Sequence, residues 1–139
     1  MRRNRGADAS QSGGRFDPES LRKHFDRPEV AVVYLFGSTA KATPHPLSDI
    51  DLAYLGTSAE AEDRLFDELY EALQAELGEG GFDLVPLRRA PLHLQFMIAT
   101  EGTPLLVTDP LLAEAFGARA IVRYLDFKPY RDRYFATQA

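Results

Sequence analysis

Residues 32–55 read VVYLFGSTAKATPHPLSDIDLAYL, and this stretch decides the fold. An apolar run, Val30 to Phe36, breaks at Gly37-Ser38, and after ten intervening residues a second apolar run opens on Asp49-Ile50-Asp51. An unpartnered buried carboxylate is expensive, so two of them at the start of a hydrophobic strand call for a cation against them. Seven consecutive apolar residues are the pattern of a strand covered on both faces. Residues two apart in a strand face the same way, with Cα atoms roughly 6.6 Å apart. Asp49 and Asp51 therefore share one face, and Ile50, Leu52 and Tyr54 the other.

Outward from this stretch, the chain punctuates itself. Asp17-Pro18 has the form of a cap and first helical residue, predicting a short helix over Pro18 to Phe25 that Pro28 ends. Thr57 and Glu60 stand at capping-box spacing before a long helix to Leu77, whose Leu65, Leu69 and Leu73, with Phe66 and Tyr70 beside them, make one apolar face. Gly78 and Gly80-Gly81 stop it. Phe82 to Leu87 reads as a third strand that leaves the central ladder at Pro86. Pro91 to Thr100 is a predicted helix and Pro104 to Val107 a short strand. Asp109-Pro110 caps a C-terminal helix expected to bend or break near Pro129. The order helix, strand, strand, helix, strand, helix, strand, helix indicates a small mixed α/β (α+β) domain. Only a dozen residues join the first two strands, which favours an antiparallel pair.

Composition sets the outer bounds. With 139 residues, 45% of them hydrophobic, the chain predicts one domain over 17–139 with a real core. No stretch reaches the ~18–20 apolar residues of a bilayer span, and the N-terminus has no apolar signal segment. The absence of cysteine excludes disulfides and thiolate metal sites and fits a cytoplasmic protein. The net charge is −5; residues 1–15 carry +3, leaving −8 on the other 124. An acidic body argues against a phosphate-tracking surface for nucleic acid. Residues 1–16, rich in Gly, Ser and Arg, read as a disordered basic tail.

Three carboxylates and a glycine turn carry the chemistry. Asp83, between Phe82 and Leu84, is a third anion in an apolar strand, and it joins Asp49 and Asp51 if that strand neighbours theirs. Such a group converges on one hard cation or a pair of them, and oxygen-only ligation suits Mg²⁺, which draws its remaining ligands from waters and phosphates. Gly37-Ser38 supplies a phosphate cradle: glycine permits close backbone approach, free N–H groups face an anion, and the hydroxyl adds a donor. Each residue alone also fits a blander role. Asp49 and Asp51 suit a turn or cap, and Asp83 an ordinary ion pair. The combination favours phosphoryl or nucleotidyl transfer.

Gly37-Ser38, ten residues, Asp49-x-Asp51 and the later Asp83 resemble the signature of the DNA polymerase β-like nucleotidyltransferase superfamily. Over roughly residues 17–135 the chain looks more closely like a minimal nucleotidyltransferase (MNT) domain, the antitoxin half of bacterial HEPN–MNT toxin–antitoxin pairs. The stretches FDLVPLRRAPLHLQFMIATEGTPLLVTDP and RYLDFKPYRDRY are similar to the later part of that family. The resemblance implies transfer of AMP from ATP to a tyrosine of a HEPN ribonuclease toxin, in a hetero-oligomer, with Mg²⁺. It implies that Asp49, Asp51 and Asp83 hold the metal, that Asp83 also helps deprotonate the attacking hydroxyl, and that Gly37, Ser38 and Lys41 meet the nucleotide. One departure stands out. The family commonly reads Ala-Arg-Gly where this chain has Ala40-Lys41-Ala42, which keeps the charge but loses the bidentate fork and the freedom of glycine.

Two other functions stay open at this level. One is a small-molecule nucleotidyltransferase of the aminoglycoside-modifying kind, against which stands the short stretch, about 30 residues, after Asp109. The other is an antitoxin that acts by binding alone. His24, His45 and His93 lack metal-ligand spacing. Arg88 and Arg89 suit either phosphates, a partner's acidic side, or solvent. The aromatic stretch Tyr124, Phe127, Tyr130, Tyr134 and Phe135 reads as core before interface.

Overall fold

The computed structural model describes residues 17–37, 50–78 and 80–138. Helix α1 covers Pro18–Phe25, strand β1 Val30–Phe36, β2 Ile50–Gly56, helix α2 Ala59–Leu77 and β3 Phe82–Pro86. A single tight turn, Leu87–Arg89, leads to α3, Leu92–Glu101; β4 is Thr103–Val107 and α4 Pro110–Gln138. The sheet order is β3-β2-β1-β4. β1 pairs antiparallel with β2 and with β4, as its short connection to β2 suggested, and β2 pairs parallel with β3. Pro86 ends an edge strand, where a missing N–H costs no ladder bond.

Alternation along the strands divides the core in two. Ile50, Leu52 and Tyr54 of β2 join Phe82 and Leu84 of β3 beneath Leu21 and Phe25 of α1 and Leu65, Leu69 and Leu73 of α2. On the opposite face Phe36, Ala53 and Leu55 pack with Leu87 and Ile98, flanked by Met97 of α3 and Leu112 and Phe116 of α4. Helices thus cover both faces, which is why β1 is apolar at every position.

The caps explain the boundaries. Asp17 accepts from the Glu19 N–H at 3.1 Å, with Pro18 opening the helix as expected. The cap of α2 is Ser58, whose Oγ accepts from the Ala61 N–H at 3.0 Å, so the capping box expected from Thr57 and Glu60 does not form. Thr57 is held one residue outside the helix because its N–H bonds the Glu29 carbonyl at 2.9 Å. Gly78, at φ +87°, closes α2. Asp109 Oδ1 accepts from the Leu112 N–H at 3.1 Å and opens α4.

Two further expectations are corrected. α4 continues through Pro129 to Gln138 instead of breaking there. A helical proline orphans the carbonyl four residues earlier, and Leu125 lies on an exposed turn where water can take that bond. The aromatic stretch is not uniformly core. Tyr124 stacks on Phe96 with centroids 4.2 Å apart, but Phe127 is 49% exposed, and the side chains of Tyr130, Tyr134 and Phe135 lie outside the described set.

Candidate active site

Strand pairing builds the site. Asp51 sits opposite Phe36 of β1 on one side and opposite Asp83 of β3 on the other. Register partners project to the same face, so Phe36, Asp51 and Asp83 form one row across three strands, spaced about 4.8 Å from strand to strand. Phe36 packs into the core at one end of that row; Asp51 is half-buried and Asp83 exposed. The Ile50 N–H bonds the Gly81 carbonyl at 3.2 Å and fixes the start of β2 against the start of β3. Two acids that are 32 residues apart in sequence thereby face each other.

Gly37 completes the described part. It follows Phe36 directly and turns the chain at φ +73°, a conformation that side-chain-bearing residues rarely adopt. A Cβ at this position would run into Asp51 Oδ2, so the backbone approaches the carboxylate as closely as only glycine allows. Ser38, Lys41, His45 and Asp49, all named from sequence, lie outside the described residues. Among the described residues no three His, Cys, Asp or Glu side chains come together, which leaves Asp51 and Asp83 as a pair. Their chemistry fits a hard, oxygen-seeking cation.

Several side chains named from sequence belong elsewhere. His24 pairs with Glu76 at 2.7 Å, and His93 is exposed on α3. Arg89 forms two bonds of 2.6 Å with Asp63, and these hold the Asp63 carboxyl below its usual range. Arg88 lies at the far end of β2, its N–H bonding Glu62 Oε2 and its Nη2 the Gly56 carbonyl, both at 2.9 Å.

Sequence reading missed Glu62. It has no solvent exposure, and its carboxylate bridges the end of β2 to the turn after β3, accepting from the N–H groups of Gly56 and Arg88. Burial pushes its pKa up; those two bonds and the Arg88 charge pull it back only in part. Tyr54 is raised too, chiefly by burial and then by the Glu62 charge, and so keeps the proton it donates to the Glu62 carbonyl. The signal was present in the sequence: Glu62 lies three residues before Leu65, on the apolar side of α2.

The acidic pair thus lies beside a strand-ending glycine in a four-stranded mixed sheet. Residues 19–111 match the family described as polymerase beta, nucleotidyltransferase, and the chain belongs to that family, with its α+β fold. It is 36% identical to the protein adenylyltransferase MntA of Shewanella oneidensis over 98 residues, 70% of this chain and 68% of that protein. It is also similar to a chain in the crystal structure of a toxin–antitoxin with AMP-PNP, at 28% identity and a TM-score of 0.70, covering 88% of this chain and 98% of that one. A chain in the structure of a tri-AMPylated Shewanella oneidensis HEPN toxin in complex with MNT antitoxin matches at 26% identity and a TM-score of 0.60, over 86% of this chain and 93% of that one. No helix among the described residues is long and apolar enough to cross a membrane.

Proposed function

We propose that this chain is an antitoxin that transfers AMP from ATP to a tyrosine hydroxyl of a HEPN-type toxin and thereby neutralises it in the cytoplasm. The observation that carries this reading is the row that sets Asp51 opposite Asp83 with the Gly37 turn at its edge. Its similarity to an adenylyltransferase, and to chains crystallised with AMP-PNP or with an AMPylated HEPN toxin, supports the nucleotide, the group transferred and the kind of acceptor.

Asp49, Asp51 and Asp83 would hold Mg²⁺, whose charge, when bound, offsets the negative charge that builds on the phosphates as pyrophosphate leaves. The remaining work falls to the chain. Gly37 and Ser38 would hold the triphosphate by backbone N–H and hydroxyl, while the missing Cβ at 37 leaves the Asp51 carboxylate its place beside them. Lys41 would add a point charge toward the nucleotide. Asp83, the more exposed acid of the described pair, would take the proton of the incoming hydroxyl. The oxygen would then bond to the α-phosphorus as the bond to pyrophosphate breaks on the opposite side. A docked protein acceptor supplies its own orientation and excludes water from the reaction.

Incubation of the chain with labelled ATP, Mg²⁺ and a HEPN-type toxin protein tests the proposal. The expected result is label on a tyrosine of the partner by mass spectrometry and loss of its ribonuclease activity. An unmodified partner, with efficient adenylylation of an aminoglycoside, overturns it.

A further inference from the structure

We propose that the hollow between the Leu87–Arg89 turn and α4 is a binding site for a small phosphate-type oxyanion. Arg88, Gln95, Phe116, Arg119, Ala120 and Arg123 line this hollow of about 230 Å³. Three guanidinium groups meet there in a chain whose net charge is −5.

Several surface cations are matched: Arg22 with Glu19, Arg27 with Glu68, Arg89 with Asp63 and Lys128 with Asp132. Arg119 and Arg123 differ. Both are exposed, they stand one turn apart on α4, and neither pairs with a carboxylate among the described residues. Like charges at this spacing repel, and a bound anion turns that repulsion into attraction. Arg88 forms the inner wall, with its guanidinium 5.9 Å from the centre of the Phe116 ring. Its Nε is buried without a hydrogen-bond partner, and the nearby Glu62 Oε1, at 3.8 Å, is too far to accept. The Glu62 oxygens already accept from the N–H groups of Gly56 and Arg88. Glu62 thus serves as the counter-charge of Arg88, and Arg119 and Arg123 are left with none among the described residues.

Size and geometry select the class. Clefts for larger organic ligands run to roughly 300–1,000 Å³, so this hollow suits a compact ion. Guanidinium forks match the paired oxygens of phosphate. The site is separate from the acidic row. Arg88 holds the carbonyl of Gly56, five residues along β2 from Asp51, which at strand spacing is about 16 Å away.

The test is thermal unfolding and calorimetry of the full chain with inorganic pyrophosphate in EDTA at constant ionic strength, in an Asp51→Asn background that impairs the other site. A saturable rise in Tm is expected, with affinity weakened roughly tenfold or more in Arg119→Gln/Arg123→Gln. Both positions are exposed, so the double variant should fold, and circular dichroism checks that it does. An absent rise, or one unchanged in the double variant, overturns the proposal. A glutamate-rich peptide that binds more tightly than pyrophosphate also overturns it, assigning the hollow to an acidic protein segment instead.

Discussion

The backbone of Gly37 lies directly against the carboxylate of Asp51, at φ +73°, in a space that a Cβ would share with Oδ2. Two independent constraints thus act on one residue: a dihedral angle and a contact. Gly37→Ala is expected to cost about 1–2 kcal/mol from the left-handed conformation alone. It should also push the Asp51 carboxylate out of the row with Asp83. Urea denaturation reads the first effect and AMP transfer the second. Transfer should fall much further than stability accounts for, and a variant with normal transfer would show that the close approach serves only the turn.

The Asp51–Asp83 pair makes a second prediction. Two carboxylates facing each other across adjacent strands repel in the metal-free protein. Asp51→Asn or Asp83→Asn removes that repulsion without changing shape. Each should leave the fold intact, with a Tm in EDTA equal to or above that of the parent, while transfer is abolished at ordinary Mg²⁺. Loss of folding would mean that the carboxylates serve the core instead.

Much of this was legible because apolar periodicity and turn chemistry are local signals. Val30–Phe36 and Pro18–Phe25 follow directly from an unbroken apolar run and an Asp-Pro start. What sequence could not settle was which strand lies beside β2. The meeting of Asp51 and Asp83 depends on the β3-β2-β1-β4 order, a non-local choice that no spacing encodes. The cap of α2 was missed by one residue because Thr57 and Ser58 are both good caps, and a distant carbonyl, that of Glu29, decides between them. Glu62 was overlooked because a charged residue at a helix start usually faces water. Its burial is understandable only once the turn after β3 brings the Arg88 N–H to it.

Ser38 provides a graded test of the proposed nucleotide cradle. Backbone N–H groups survive Ser38→Ala, and only one hydroxyl is lost. One hydrogen bond to a charged phosphate is worth about 1.5–3 kcal/mol, so ATP use should weaken roughly ten- to a hundredfold without vanishing. Steady-state kinetics with varied ATP measures it. Unchanged KM and kcat would remove Ser38 from the site.

Glu62 makes the stability of the fold depend on pH in an unusual direction. Its pKa is raised by burial, so the folded chain binds this proton more tightly than the unfolded chain, whose value is near 4.5. The group therefore favours folding most at low pH, and that advantage is lost as pH rises from about 4.5 through the folded value. Asp63, lowered by Arg89, acts in the opposite sense: its contribution is lost as pH falls through the range below 3.8. Urea denaturation between pH 7 and pH 4.5 separates the two, because of this pair only Glu62, with its raised pKa, gains its proton above 4.5. The stability of the parent relative to Glu62→Gln should rise on acidification. Glu62→Ala should cost about 3–5 kcal/mol at neutral pH, since it strands the Gly56 and Arg88 N–H groups and removes the counter-charge of Arg88. A parent-to-Gln difference that stays flat from pH 7 to pH 4.5 would mean that the buried carboxyl is held at its ordinary pKa by Arg88 and the two N–H bonds together.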